Sequence, residues 1–209
     1  MLRSSCLILV FTALLTGCAS RSLTEHQCAA GDWYSIGERD GFAGSNSSRV
    51  LDHQNACGRF GIVPDTAAYR QGWDTGIRRY CTADNGYQQG VSGRGYGGSC
   101  PAELDPNFRA AWEDGRALYL ARTAVNNLQR RLEQIEARRQ SIDSELMGAA
   151  LAQTKPDLTA EERLALVDKT KRLLEERDQL DRELPQVAAE LDAAYDQLEQ
   201  LEPSFAVSR

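Results

Sequence analysis

Six cysteines offer the most direct chemistry in this 209-residue chain, and four of them lie in its body: Cys28, Cys57, Cys81 and Cys100. In an oxidising compartment an even number of cysteines pairs into disulfide bonds, and four cysteines allow three pairings. The loop lengths favour Cys28 with Cys57 and Cys81 with Cys100, because each bond then closes a local segment. Each such bond would stabilise the fold by about 3 kcal/mol.

The two histidines, His26 and His53, suggest two other kinds of site. His26 lies beside Cys28 and His53 lies four residues before Cys57, so a zinc site is the alternative to the disulfides. Because no C-x-x-C pair is present and thiols seldom stay reduced outside the cytoplasm, we predict no metal site. His53 beside Asp52 is a possible acid–base pair, but it lacks a convincing nucleophile or a cofactor motif. We therefore predict no catalytic residues and no cofactor.

Aromatic and acidic side chains could form a surface that binds a sugar, since pockets combine ring faces with a few polar groups. The candidates for this ligand surface are Trp33, Asp40, Trp73, Asp74, Tyr87, Tyr96 and Trp112. The alternative is that the rings of Tyr87 and Tyr96 fold over the adjacent disulfide, with their hydroxyls hydrogen-bonded. Binding or processing of a glycan, peptidoglycan in particular, is the second of our two hypotheses about function.

The N-terminus indicates export. Arg3 precedes an apolar run over residues 6–15, which is too short for a membrane span because that needs about 20 apolar residues. A cation, a short apolar run and small residues at its end are the layout of a secretory signal. Leu15-Thr16-Gly17-Cys18 resembles the lipobox of bacterial lipoproteins, in which the cysteine is lipidated and becomes the first mature residue. The alternative is an ordinary signal peptide with a chance cysteine.

The lipobox resemblance implies a signal peptide over residues 1–17 and a lipidated tether over 18–27. Two or more acyl chains anchor a protein stably, since each buried methylene is worth about 0.8 kcal/mol. Ala19 and Ser20 follow the cysteine, and the absence of Asp there resembles the Gram-negative signal for the outer membrane, facing the periplasm. The net charge of −6 is spread along the chain, which argues against nucleic acid as a partner.

A repeat of aromatic and small residues predicts helices in the first half. An aromatic residue is followed by small residues three and seven places later in Tyr34/Gly37/Gly41, Tyr69/Gly72/Gly76 and Phe108/Ala111/Gly115. These offsets fall on one face of a helix. Glycine inside a helix costs about 1 kcal/mol relative to alanine, so we infer that another backbone or a ring approaches closely. We predict helices near 31–43, 65–81 and from 105 onward, the last with Asp105 as N-cap and Pro106 in its first turn.

The segment between the second and third copies, residues 86–100, is rich in glycine. Frequent glycine permits positive φ angles and tight turns, so we interpret this segment as a loop or an irregular hairpin. It is not a dinucleotide-binding fingerprint, because no strand precedes it and no helix follows it immediately.

Several spaced motifs in this half are similar to a known bacterial family. They are Asp32-Trp33-Tyr34-x-x-Gly37-x-x-Asp40-Gly41, His53-x-x-x-Cys57, Tyr69-x-x-Gly72-Trp73-x-x-Gly76, Tyr80-Cys81 and Gly90-x-x-Gly93-x-x-Tyr96-x-Gly98-x-Cys100. Over residues 28–119 the chain resembles the lipoproteins grouped as domain of unknown function 2799. The resemblance implies a place in the cell envelope and no particular activity, because that family has no assigned function.

The second half predicts a long antiparallel coiled coil. Apolar residues step by three and four along residues 118–149 and again along 166–201, a spacing typical of coiled coils. Pro156 ends the first helix, and Thr159 with Glu162 forms a capping box that begins the second. Two helices joined by so short a turn fold back on each other, and the arm would reach roughly 50 Å.

Two details of the hairpin test this prediction. A turn centred near Asp157 places Arg139 close to Arg177 in the apolar seam, which is unfavourable for two cations. Either both side chains extend to neighbouring carboxylates, namely Glu136, Asp143 and Asp181, or a partner's carboxylate or phosphate fills the gap. Pro185 lies inside the second helix, where proline costs about 3 kcal/mol, so we expect a kink there.

Together these features predict a mainly α protein. A small disulfide-stapled helical head with a Gly-rich loop spans residues 28–115, a long antiparallel coiled-coil hairpin spans 116–202, and a tail spans 203–209. Our first hypothesis about function is a non-enzymatic, lipid-anchored envelope protein whose coiled coil contacts a protein partner or another copy. Two helices alone leave flanking apolar area that a third or fourth helix could cover.

Overall fold

The structure is a computed structural model that describes residues 23–206, with side chains as far as Glu202. Seven helices and no strand are found there: α1 (Glu25–Ala30), α2 (Trp33–Phe42), α3 (Arg49–Gly58), α4 (Thr66–Tyr80), α5 (Ala83–Val91), α6 (Asp105–Gln153) and α7 (Ala160–Ala206). The mainly α fold class is confirmed. None of these helices is both long and apolar enough to cross a membrane. The predicted signal peptide, Cys18, Ala19 and Ser20 lie outside the described residues, as does the end of the tail.

The chain divides into two compact units, Met1–Tyr80 and Cys81–Arg209. This boundary falls inside the head domain that we predicted over residues 28–115, so the head is shared between the two units. Each unit contains one disulfide, Cys28–Cys57 in the first and Cys81–Cys100 in the second. The structure therefore has the pairing that the loop lengths favoured.

Short polar side chains begin several of the helices by accepting hydrogen bonds from the first free backbone N–H groups. Asp32 accepts from the N–H of Ser35 at 3.1 Å at the start of α2. Thr82 does the same for α5, with a distance of 3.2 Å to the N–H of Asn85. Leu104 rather than Asp105 is the N-cap of α6, one residue before the predicted position.

Glycines bring α2 and α4 of the first unit into backbone contact. A Cβ added at Gly37 would lie 2.9 Å from the N of Trp73, and one added at Gly76 would lie 2.7 Å from the N of Phe42. Gly41 and Gly72 face the opposite backbone equally closely. Later residues of α2 meet later residues of α4, so the two helices run parallel. Close approach is therefore the reason for glycine at these helical positions.

The second unit repeats this arrangement with α5 and the start of α6. A Cβ added at Gly90 would lie 2.6 Å from the N of Arg116, and one at Gly115 would lie 2.9 Å from the N of Val91. Our prediction of a loop or hairpin over residues 86–100 was therefore wrong for its first part. Glycine frequency suggested turns, whereas the spacing Gly86-x-x-x-Gly90-x-x-Gly93 equals that of Gly37-x-x-x-Gly41-x-x-Gly44 and serves helix packing.

A tyrosine ring covers a glycine just after the first helix of each pair. Gly44 has φ +73° and Gly93 has φ +70°, and a Cβ at either would lie 2.6 Å from Cε2 of Tyr80 or Tyr119, respectively. Only glycine combines a positive φ with the absence of a side chain. The two units are thus two versions of one motif of paired helices.

The helices α6 and α7 form the predicted antiparallel hairpin. Pairs that cross between them run in opposite directions along the chain, from Arg122–Glu202 at one end to Lys169–Glu145 near the other. Thr159 and Glu162 form the predicted capping box, with hydrogen bonds of 2.8 and 3.2 Å. The second helix continues to Ala206, into the predicted tail, and runs unbroken through Pro185, where a kink remains a prediction.

The two arginines of the seam extend to carboxylates on the opposite helix. The Nε of Arg139 lies 2.7 Å from Oδ1 of Asp181, and the Nε of Arg177 lies 3.4 Å from Oδ1 of Asp143. Neither Nε makes a well-directed hydrogen bond, so both contacts are ion pairs. Of our two alternatives for Arg139 and Arg177, the structure therefore shows the first, in which both side chains extend to neighbouring carboxylates.

Replacing Gly76 by Ala should lower the free energy of unfolding by about 1–3 kcal/mol, because the added methyl group would overlap the backbone of α2. Gly148 is the matched control, since it lies exposed inside α6 with no atom within 4 Å of an added Cβ. Gly148→Ala should raise stability by about 1 kcal/mol. Urea unfolding followed by circular dichroism measures both changes, and an unchanged midpoint for Gly76→Ala would contradict the close packing.

Candidate functional site

Asp40 lies at the centre of a polar cluster in the first unit. Its Oδ2 accepts a hydrogen bond from the Tyr69 hydroxyl at 2.9 Å and lies 2.7 Å from Nε2 of His53. The Nε of Arg49 forms an ion pair with Oδ1 at 3.4 Å. Asp40 belongs to α2, Arg49 and His53 to α3, and Tyr69 to α4, so one carboxylate connects three helices. We call these four residues the Asp40 cluster.

Burial and hydrogen bonding shift the pKa values of two members of this cluster, Asp40 and Tyr69. Burial raises the pKa of the Asp40 carboxyl, but hydrogen bonds from His53 and Tyr69, with the charges of His53 and Arg49, outweigh it and hold that pKa below its ordinary value. Burial and the neighbouring Asp40 carboxylate raise the pKa of the Tyr69 hydroxyl. At neutral pH an ionised carboxylate therefore accepts a hydrogen bond from a neutral phenol.

The Asp40–His53 pair has the residue types of an acid–base dyad but not the access. His53 is only 2 % exposed, and its Nδ1 has no hydrogen-bond partner within residues 23–206. A general base must reach the proton that it removes, and the His53 ring, although part of it contributes to the lining of an adjacent cleft, is almost wholly covered. We had considered Asp52 as the partner of His53; the structure shows Asp40 instead. The arrangement is best suited to holding α2, α3 and α4 together.

An open cleft of about 340 Å³ lies beside the Asp40 cluster. Its lining comes from the chain before α1, from α1, α2 and α3, and from the loop after α2: Leu23, Gln27, Ile36, Arg39, Asp40, Ala43, Ser45, Arg49 and His53. A second cavity of about 380 Å³ adjoins it and shares Gln27, Ile36 and Arg39. Volumes of this size accommodate small ligands.

The predicted ligand surface is not exposed as a set in the first unit. Trp33 and Trp73 are 5 % and 8 % exposed, so neither presents a ring face on which a sugar could stack. The indole N–H of Trp73 donates to the backbone oxygen of Ser45 at 2.8 Å. Asp40 is occupied within its cluster, and of the four candidates in this unit only Asp74 is exposed.

Two of the three candidates in the second unit, Tyr96 and Trp112, lie together. Their ring centroids are 6.1 Å apart, and Tyr96 also packs on Phe108 at 4.7 Å. The Tyr96 hydroxyl donates to the Asp105 carboxylate and accepts from the N–H of Cys100 at 3.1 Å. Tyr96 is thus engaged by Phe108, Asp105 and the backbone of Cys100, while packing of its ring on the disulfide itself stays a prediction.

Of the candidates in the second unit, Tyr87 is half-buried and the indole of Trp112 is hydrogen-bonded. Tyr87 lies half-buried on α5. The indole N–H of Trp112 donates to the backbone oxygen of Arg94 at 2.8 Å, as Trp73 does in the first unit. Burial and the hydrogen bond to Asp105 raise the pKa of Tyr96, while the hydrogen bond from Tyr96 lowers the pKa of Asp105.

The described part of the chain contains no group of three or more His, Cys, Asp or Glu side chains placed to hold a metal ion. All four cysteines considered for zinc are bonded in disulfides. Arg39 and Arg49, which line the cleft, were not among the site residues predicted from the sequence. One signal for Arg49 was available, since it precedes His53 by four residues and so lies on the same face of α3.

Replacing Asp40 by Ala should lower the free energy of unfolding by about 2–4 kcal/mol, because Tyr69, His53 and Arg49 would lose a buried acceptor. Asp74→Ala is the matched control, since that side chain is exposed, and it should change stability by less than about 0.5 kcal/mol. Urea unfolding at neutral pH measures the difference. Equal effects of the two substitutions would show that the Asp40 cluster does not stabilise the first unit.

The difference in stability between wild type and Asp40→Ala should be smaller in acid than at neutral pH. The folded state lowers the pKa of Asp40 below its ordinary value of 3.8, so the carboxylate stabilises the fold fully above that value and progressively less as pH falls through the lower, folded pKa. The stability difference between wild type and Asp40→Ala should therefore shrink between about pH 5 and pH 2. A difference that does not vary with pH would contradict a role for the charge.

Comparisons with known proteins identify part of the chain. Residues 32–117 match the model of a family described as Protein of unknown function (DUF2799). No curated protein and no solved structure matches the chain. The matched residues begin at the N-cap of α2 and include the helix pairs of both units and the Asp40 cluster. Residues 32–117, close to the extent of the resemblance noted from the motifs, are thus a region of the family Protein of unknown function (DUF2799).

Proposed function

We propose that this protein is a non-enzymatic, lipid-anchored component of the cell envelope whose hairpin binds the hairpin of a second copy. The observation that carries the proposal is a group of large apolar side chains exposed near the turn of the hairpin. They are between 46 % and 70 % exposed, and they are Met147, Leu151, Leu164, Val167 and Leu174. We call this group the apolar flank.

Val167 and Leu174 lie on one side of the hairpin, whereas Met147, Leu151 and Leu164 lie farther round their helices, on the outward face away from the seam. Leu173 is buried in the seam, and Leu174 directly follows it, with Val167 two turns before Leu174. On α6, Met147 and Leu151 follow Asp143 at four-residue steps, and Asp143 directly follows the buried Ile142. In an antiparallel pair, positions that directly follow the second seam residue of each heptad share one flank.

The opposite flank is covered by charged pairs that join the two helices. Arg138 hydrogen-bonds Glu176 at 2.7 Å and Glu145 at 2.9 Å, and Lys169 lies 3.7 Å from Glu145. Arg131 pairs with Glu183 farther along the same side. Near its turn the hairpin therefore has one flank covered by charged pairs, while exposed apolar side chains lie on the other side beside the Arg177–Asp143 pair, which supports contact with another helix there.

Charge supports a second copy as the partner. Residues 147–175 contain five basic and five acidic side chains, whereas the whole chain has a net charge of −6. Two copies that meet at this segment therefore escape the repulsion that their net charges cause elsewhere. A twofold arrangement places the same apolar flank on both sides of the interface, as is usual for dimers.

The membrane anchor and the location are part of the proposal. They are supported by the Leu15-Thr16-Gly17-Cys18 motif and by two disulfides, which persist in an oxidising compartment. Ala19 and Ser20 favour the outer membrane, with the protein facing the periplasm. The second hypothesis, peptidoglycan binding, has less support because the tryptophans of the first unit are buried.

Sedimentation of the full chain, secreted with Cys18→Ser so that no acyl chain is attached, tests this proposal. Wild-type protein should form dimers as its concentration rises. Leu151→Glu with Leu164→Glu should weaken association at least tenfold, because burial of each leucine contributes about 1.5–3 kcal/mol.

Leu120→Glu is the matched control for this experiment, since Leu120 is exposed on α6 outside the apolar flank. It should leave the association constant unchanged. A wild-type chain that stays monomeric at every concentration, or a dimer that the paired substitutions do not weaken, would contradict the proposal.

A further inference from the structure

Two arginines from different helices line the cleft of the first unit, Arg39 from α2 and Arg49 from α3. Arg39 is exposed, and its guanidinium makes no hydrogen bond or ion pair with the residues that the structure describes. The Nε of Arg49 lies 3.4 Å from the Asp40 carboxylate. The lining of the cleft therefore includes one guanidinium without a hydrogen bond or ion pair to residues 23–206 and a second that pairs with Asp40.

The carboxylate in the cleft does not cancel both of these positive charges. Asp40 already accepts a hydrogen bond from Tyr69 and contacts His53 and Arg49. Arg39 therefore adds a positive charge to a lining in which Asp40 is the acidic residue, although Asp32, which lines the adjoining cavity with Arg39, is near enough for that charge to lower its pKa. Arg39 is exposed whereas the Asp40 side chain is 14 % exposed, so Arg39 is the more accessible of the two charges to an anion that enters the cleft.

The second unit shows that paired helices do not require these charged groups. The residues at its positions equivalent to Arg39 and Asp40 are Gln88 and Gln89, and Phe108 is equivalent to Tyr69. In both units glycines nevertheless bring the two paired helices into backbone contact. The charged lining of the cleft is thus an addition specific to the first unit.

We infer that this cleft binds a phosphate group. Arg39 can donate two hydrogen bonds to a tetrahedral group with oxygens in several directions, and Arg49, which pairs with Asp40, adds positive charge to the same cleft. Ser45 and Gln27 provide further polar lining, while Leu23 and Ile36 form an apolar wall for the carbon atoms of a phosphate ester. The volume of about 340 Å³ is sufficient for such a group.

The phosphate can belong to a lipid headgroup or to a free molecule. Leu23 lies five residues after Cys18, so an extended chain places it at most about 18 Å from the lipidated cysteine. If the anchor proposed above is present, phospholipid headgroups are the nearest phosphates. Only this lipid source rests on the proposed function; binding of free phosphate does not.

Calorimetric titration of the secreted Cys18→Ser chain with inorganic phosphate at low ionic strength tests the inference. Arg39→Gln should weaken binding about tenfold, the loss expected when one charged hydrogen-bonding group is removed. Arg70→Gln is the matched control, since Arg70 is exposed on α4 and lines neither cavity, and it should leave binding unchanged. Acetate at the same concentration should bind far more weakly than phosphate.

Cosedimentation with vesicles of phosphatidylglycerol distinguishes the two sources. If the chain binds the vesicles and Arg39→Gln reduces that binding, a lipid headgroup is supported as the source of the phosphate. If the chain binds inorganic phosphate but not the vesicles, a free phosphate is supported. Three results would each overturn the inference. They are no measurable binding of phosphate, phosphate binding that Arg39→Gln does not weaken, and an affinity for acetate equal to that for phosphate. The association experiment on Leu151 and Leu164 concerns the second unit, so either proposal can fail without the other.

Discussion

Backbone contact between parallel helices is the constraint on which the rest of this structure depends. In each unit, helices approach so closely that a methyl group on the facing glycines would overlap the opposite backbone. Such contact needs small residues four positions apart on both helices, which explains why glycine recurs where helix propensity disfavours it. The tyrosine that covers a positive-φ glycine and the tryptophan that donates to a loop carbonyl then fix the ends of each pair.

The two units use this common motif differently. In the first, α3 lies between the paired helices in the chain, held by the Cys28–Cys57 disulfide and by the contacts of His53 and Arg49 with Asp40. In the second, a shorter irregular segment with the Cys81–Cys100 disulfide takes its place, and α6 continues into the hairpin. A charged cleft lies beside the first pair, and the apolar flank lies near the turn of the hairpin that follows the second.

Local patterns in the sequence predicted most of the helices but not the Asp40 cluster. Periodicity indicated α2, α4, α6 and α7, and the opposed arginines of the seam followed from the register of the hairpin. The helix α5 was missed because Gly86, Gly90 and Gly93 were interpreted by frequency rather than by spacing. The contacts of Asp40 with His53 and Tyr69 span 13 and 29 residues, so they depend on how three helices pack and leave no local signal.

Nuclear Overhauser effects between the paired helices test the central claim most directly. The site of a Cβ at Gly37 is 2.9 Å from the N of Trp73, and that at Gly90 is 2.6 Å from the N of Arg116. The structure therefore predicts strong effects from the Hα protons of Gly37 to the amide proton of Trp73, and from those of Gly90 to the amide proton of Arg116. Their absence from fully assigned spectra would contradict backbone contact in both units.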